Sequence, residues 1–219
     1  MNLLSLRGPA HTRRTLFLTT VAALAAAAVL PAAAAEAQPG LDAPLQRLNS
    51  ALEAVMRAGH NTPVPRRFQE LAPVVDQVFD LQTVLRVAVG ARWNSLKPET
   101  QTRLLDVYRR FIVATYVANF DSYDGERFEI LPGARDSGPD RIVATTLVAK
   151  SGERQRLDYV LRDENGSWRV VDVLLDGSIS RVAVQRSDFR KILAGGDVDV
   201  LIANLRHKIS DLSDGTLDS

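Results

Sequence analysis

Apolar residues recur at helical spacing through the first half of the chain and switch to alternation after Gly125. From Leu41 to Ala58, the positions Leu45, Leu48, Leu52, Val55 and Met56 fall on one helical face. Gly59–Pro65 breaks that run, and a second helix is predicted over about Arg66–Val78, with Phe68, Leu71, Val74, Val75 and Val78 inward. A third covers about Leu81–Ala91, carries Val84, Leu85, Val87 and Ala88, and has Gly90 close to its end. The fourth opens at Pro98, a first-turn position where the missing N–H costs nothing, and Glu99 suits the positive end of the helix dipole. Leu104, Leu105, Tyr108, Phe111, Ile112, Thr115 and Tyr116 form its apolar side. The stretch Phe111–Phe120, FIVATYVANF, is apolar nearly all round. It is too short to span a bilayer, so that end of the helix must be buried on more than one face.

Four strands are predicted in the alternating region: Glu126–Pro132, Arg141–Ala149, Glu153–Arg162 and Trp168–Leu175. Pro132-Gly133, Ser137-Gly138-Pro139-Asp140, Ser151-Gly152 and Asn165-Gly166 supply turns between strands, and loops this short imply an antiparallel meander. A two-residue turn at Asn165-Gly166 pairs Tyr159 with Asp172; a three-residue loop pairs it with Val171. The second register buries more apolar surface and is the one expected. A helix over about Ser180–Ala194 stops at Gly195-Gly196, and a last one starts at an Asp197 cap and carries Val198, Leu201, Ile202, Leu205, Ile209 and Leu212. Residues 213–219 read as a disordered tail. Helices, then strands, then helices give α+β: N-terminal helices and two C-terminal helices packed on a curved four-stranded antiparallel sheet.

The segment before these elements reads as an address. Arg13-Arg14 precedes an apolar run from Leu16 to Leu30, and Ala35-Glu36-Ala37 has the form of a cleavage site. Residues 1–37 are therefore expected to be a cleavable signal peptide, with Sec and twin-arginine export both open. A single domain of the periplasm follows, expected over 38–212. The chain holds 27 basic and 26 acidic residues; the leader takes Arg7, Arg13, Arg14 and Glu36, which leaves 24 against 25. That balance gives no pull toward nucleic acid. There is no cysteine, which excludes disulfides, thiolate metal sites and cysteine nucleophiles.

Candidate chemistry is sparse. Beyond the leader only His60 and His207 remain, without partners at metal-ligand spacing, and no cofactor is implied. There is no G-x-S-x-G elbow and no phosphate-cradling glycine loop. Asp158, Tyr159 and Asp172 fall on neighbouring strands; a carboxylate and a tyrosine in an apolar cavity could transfer protons. Outward-facing aspartates are the ordinary alternative, and the chain is read as a non-enzyme. Arg66-Arg67 and Arg109-Arg110 read as solvated helix faces.

Residues 79–116, from FDLQTVLRVAVGARWNSLKPE through RRFIVATY, resemble the helical half of the MlaC family of periplasmic phospholipid-binding, or toluene-tolerance, proteins. The pieces are Phe79-Asp80, Gly90-Ala91-Arg92-Trp93, Pro98-Glu99 and Phe111–Tyr116. Leu157–Leu161, Gly166–Val173 and Asp176–Ser180 are similar to that family's hairpin and its following turn. Arg181–Phe189 departs from the family's common asparagine-tyrosine-arginine run and resembles the hopanoid-associated HpnM branch. The resemblance implies an NTF2-like build with an apolar pocket for a phospholipid or a hopanoid. It also implies shuttling between an inner-membrane ABC transporter complex and an outer-membrane lipoprotein complex, by a protein read as monomeric. On that reading the pocket is lined by Leu85, Trp93, Phe111, Thr115 and Tyr116 from helices, and by Leu147, Leu157, Tyr159, Leu161, Val171 and Val173 from strands. By pattern alone the same residues read as an ordinary core with no cavity between them, and only the resemblance reverses that.

Overall fold

The computed structural model describes residues 40–217; the expected signal peptide lies outside them. Six α-helices stand close to where periodicity places them. α1 (Ala43–Ala58) buries Leu45, Leu48, Leu52, Val55 and Met56, the five positions selected by spacing. α2 (Val64–Val78) begins two residues early because Pro65 occupies its first turn and does not break it. α3 (Leu81–Val89) is capped by the Asp80 carboxylate, which accepts from Thr83 N at 2.9 Å. It ends at Gly90, whose φ of 70° is left-handed. A 3-10 segment, Gly90–Ser95, carries the buried Trp93 to α4 (Pro98–Asn119). α5 (Arg181–Ala194) starts at a Ser180 cap and α6 (Val198–Leu212) at Asp197. Each such cap stabilises a helix by about 1 kcal/mol.

The described residues hold six strands where four were expected. β1 (Arg127–Ile130), β3 (Asp140–Val148), β4 (Arg154–Glu164) and β5 (Ser167–Leu175) are the expected four. β2 (Arg135–Ser137) and β6 (Ile179–Ser180) are additions too short to show alternation, and every residue of β2 is exposed. The sheet runs β1-β3-β4-β5-β6, with β2 also paired to β3, and every ladder between strands is antiparallel.

The register between β4 and β5 corrects the expected one. Asn165 and Gly166 form a two-residue turn with φ of 57° and 87°, and Glu164 pairs with Ser167. The register then shifts between Val160 and Leu161, leaving Val171 as an unpaired bulge residue, so Tyr159 pairs with Val173. Turn and bulge together satisfy the apolar pairing that a longer loop was expected to provide.

α1, α2, α3 and α5 lie close against β5, while α4 packs on α2, α3 and α6. Leu45, Leu48, Leu52, Leu71, Leu85 and Leu104 are fully buried in the resulting core. Arg67 is buried as well and donates to the carbonyls of Thr62 and Val117; it is an internal strut, not the solvated residue expected. Residues 213–217 correct the expected disorder over that part of the tail. Ser213 is buried, its hydroxyl bonded to Ile209 O, and Leu217 joins the core.

Candidate functional site

Two stripes diverge along the second half of α4. Val113, Ala114 and Val117 are buried in the core, whereas Phe111, Ile112, Thr115, Tyr116 and Phe120 are half-buried. α4 reaches the sheet through its rings. Phe120 lies 5.8 Å from Phe128 of β1, and the Tyr116 and Tyr159 hydroxyls share a hydrogen bond between α4 and β4. Tyr116 also stacks on Phe120, at 5.9 Å and 14°, and meets Phe79 at 5.7 Å. Each such ring pair is worth about 0.5–1.5 kcal/mol beyond its buried area.

Cross-strand pairing supplies the opposite wall. Phe128 faces Leu147, Ile130 faces Thr145, Thr145 faces Leu157, and Leu157 faces Leu175. Paired residues share a side of the sheet, so these residues and Val173 lie on the Tyr159 side. Phe128, Ile130, Leu147, Leu157, Val173 and Leu175 are all half-buried. The result is an apolar seam between α4 and the sheet, with incompletely buried side chains on both walls.

The polar groups within it are hydroxyls that stay neutral. Burial pushes the Tyr116 hydroxyl well above its ordinary range, with its neighbour Tyr159 adding to the effect. Burial likewise pushes Tyr159 up to about 12. The Tyr108 hydroxyl, also raised by burial, donates to Gln185 Oε1 at 2.7 Å.

The sequence-selected pocket residues divide into four groups. Tyr116, Leu147, Leu157 and Val173 belong to the seam, and Thr115, whose hydroxyl donates to Phe111 O at 2.7 Å, lies on the Phe111 side of α4. Leu85, Trp93 and Leu161 are buried in the core, and Tyr159 is buried where it meets Tyr116. Phe111 sits on the other flank, with Tyr108 at 6.4 Å and the Lys208 ammonium of α6 at 5.8 Å from its ring. Val171 is buried, but as the bulge residue it lies outside the main core cluster. The carboxylate–tyrosine constellation is not assembled. Asp158 is fully buried on the opposite side of the sheet from Tyr159, held by both nitrogens of Arg156 at 2.8 Å and by Arg135 at 2.7 Å. Asp172 accepts from the Ser180 hydroxyl and from Val182 N, fixing the start of α5.

A separate cleft of about 710 Å³ opens between Val107 and Arg110 of α4, Arg206 and Ile209 of α6, and Leu217. None of the sequence-selected residues lines it. Among the described residues no helix is long and apolar enough to cross a membrane.

The family model of the MlaC protein matches residues 46–207. The chain belongs to the MlaC family. The matched span contains both walls of the seam and both tyrosine pairs, Tyr116–Tyr159 and Tyr108–Phe189. This MlaC-family chain is similar to a phospholipid-binding protein from Ralstonia solanacearum, whose structure was solved in complex with a phospholipid at 1.53 Å resolution. The two superpose with a TM-score of 0.67 at 20% identity, over 79% of this chain and 98% of the other. At that identity the likeness concerns the fold. No curated protein matches the chain.

Sequence reasoning missed Phe120, Phe128, Ile130 and Leu175 as seam residues. Phe120 closes the all-apolar run of α4, and Phe128 and Ile130 alternate with the charged Arg127 and Glu129. Both signals are present in the pattern. What the pattern lacks is the pairing partner of each strand.

Proposed function

We propose that the protein is a lipid carrier of the periplasm, which shelters the tails of a phospholipid between α4 and the sheet and shuttles it between outer- and inner-membrane complexes. The observation that carries this reading is the half-buried apolar lining of both walls of the seam. A lipid tail in water costs about 0.8 kcal/mol per methylene, so a carrier must offer apolar walls that are not already satisfied by one another. α4 is suited to move relative to the strands, because rings and one tyrosine–tyrosine hydrogen bond bridge them. The NTF2-like description fits a sheet with its helices gathered on one side. Family membership and the phospholipid held by the Ralstonia protein favour the same ligand class.

The test is native mass spectrometry of protein exported with its own leader and recovered from the periplasm. A bound mass in the phospholipid range is expected, with the preparation delivering that lipid to acceptor vesicles. Val173→Trp, which fills the seam from β5, should lower occupancy at least about fivefold with a melting temperature close to that of the parent. Ligand-free protein in every preparation, together with no uptake from phospholipid vesicles, would remove the proposal.

A further inference from the structure

Arg181, Gln185 and Phe189 recur four residues apart along α5 and so share one face of the helix. The Phe189 ring meets Tyr108 edge-on at 6.3 Å, and Gln185 accepts the Tyr108 hydroxyl at 2.7 Å. That face is therefore turned toward α4. Arg181 lies one turn nearer the start of α5, and its positive charge acts on the hydroxyls of both Tyr108 and Tyr116. Ser180, the residue before it, pairs with Leu174 of β5, so the start of α5 and Arg181 lie beside the sheet.

Arg181 is half-buried and has no hydrogen-bond or ion-pair partner among the described residues. Other half-buried arginines are engaged: Arg109 with Asp76, Arg162 with Asp140, and Arg169 with the carbonyls of Asp76 and Phe79. The carboxylate available at this junction, Asp172, is occupied by Ser180 and Val182 N. A guanidinium has five N–H donors in a planar fork, and leaving it half out of water without an acceptor is costly. The fork matches a phosphate, which it binds through paired charge-assisted hydrogen bonds.

We propose that Arg181 is the anion anchor of the seam: it takes the headgroup phosphate of a lipid whose tails lie along Tyr116, Leu157 and Val173, and so makes the protein select phosphate-bearing lipids over uncharged ones. The proposal rests on the lipid-carrier reading and adds to it the residue that meets the phosphate of the ligand.

The experiment offers the full-length exported protein mixed vesicles of phosphatidylglycerol and diacylglycerol with identical tails, and reads the bound ratio by native mass spectrometry. Wild type should favour phosphatidylglycerol by about tenfold or more. Arg181→Met and Arg181→Gln should bring the ratio close to that of the vesicles, Arg181→Lys should keep part of the preference, and the exposed Arg186→Met should leave it unchanged. A wild-type ratio in both uncharged Arg181 variants would overturn the anchor while leaving the carrier intact. Failure of the wild type to take up either lipid would overturn the carrier itself. Glycerol 3-phosphate should not bind on its own; saturable binding of it at Arg181 would replace the lipid headgroup with a soluble phosphate as the source of the anion. Melting curves of all variants separate altered selectivity from lost fold.

Discussion

The helical core and the α4–sheet seam are made of the same residue types and differ in what they leave unfinished. In the core, Leu45, Leu48 and Leu52 of α1 and Leu71 of α2 have no accessible surface. Across the seam, Phe120, Phe128, Leu157 and Val173 touch their neighbours and remain half-buried. Burying a Leu or Phe side chain completely stabilises a fold by about 1.5–3 kcal/mol. Seam residues collect only part of that, and the remainder is available to a hydrocarbon guest. Apolar composition therefore says little about role; the fraction of surface already matched within the chain says more.

The largest expected difference between the two regions is in truncation. Leu48→Ala should destabilise by about 2–5 kcal/mol, because it opens a cavity in a closed packing. Leu157→Ala in the ligand-free protein should cost about 1–2 kcal/mol. Urea denaturation measures both, and equal costs would erase the distinction drawn here. Adding phospholipid should raise the stability of the parent and of Leu48→Ala, and raise that of Leu157→Ala less.

Next in size is Tyr159→Phe. It removes one hydroxyl of the hydrogen bond shared with Tyr116 and should cost about 1 kcal/mol. Tyr116→Phe should cost at least as much, since it leaves the buried Tyr159 hydroxyl without its partner, whereas Tyr116 is half-buried. Thermal melts of the two variants measure both costs, and a clearly smaller cost for Tyr116→Phe would show that the Tyr159 hydroxyl finds another partner.

The smallest effect concerns pH at a joint between α3 and the β4–β5 turn. The hydrogen bond to Asp80, with burial second, raises the Glu164 carboxyl above its ordinary 4.5. At Asp80 burial acts upward, but the bonds from Thr83 and Glu164 outweigh it and leave that carboxyl below 3.8. The raised group contributes stability that is complete below its unfolded pKa and is lost as pH rises through its folded one. The lowered group contributes above its unfolded pKa and loses that contribution as pH falls through its folded one. Between about pH 4.5 and neutrality the wild type should thus lose stability relative to Glu164→Gln, whose amide donates to Asp80 at every pH. A constant difference between the two melting profiles would show that the shared proton is absent.

Much of the architecture is readable from spacing, since helix faces and strand alternation are local. The five inward positions of α1 and the Asp197 cap follow from the pattern. The two extra strands do not, because Arg135–Ser137 and Ile179-Ser180 are held by their neighbours and have no apolar alternation of their own. Arg67 reads as a surface charge until Thr62 and Val117 are known to offer carbonyls. Site residues were less legible than elements. Leu85 and Leu157 look alike in sequence, and only the distance between α4 and the sheet makes one a filler and the other a wall. Arg181 was missed because its informative property is a missing counterion, which no local pattern records.

The extra residue at Val171 has a consequence well beyond its own position. Remove it, and the distal half of β5 turns inside out: Asp172 and Leu174 rotate toward α4, while Val173 and Leu175 swing to the far side. A carboxylate would then occupy the greasy wall, α5 would lose its clamp, and the guanidinium beside it would gain a permanent counterion. One inserted residue thereby keeps a negative charge out of the lipid's path and a positive one free to receive it.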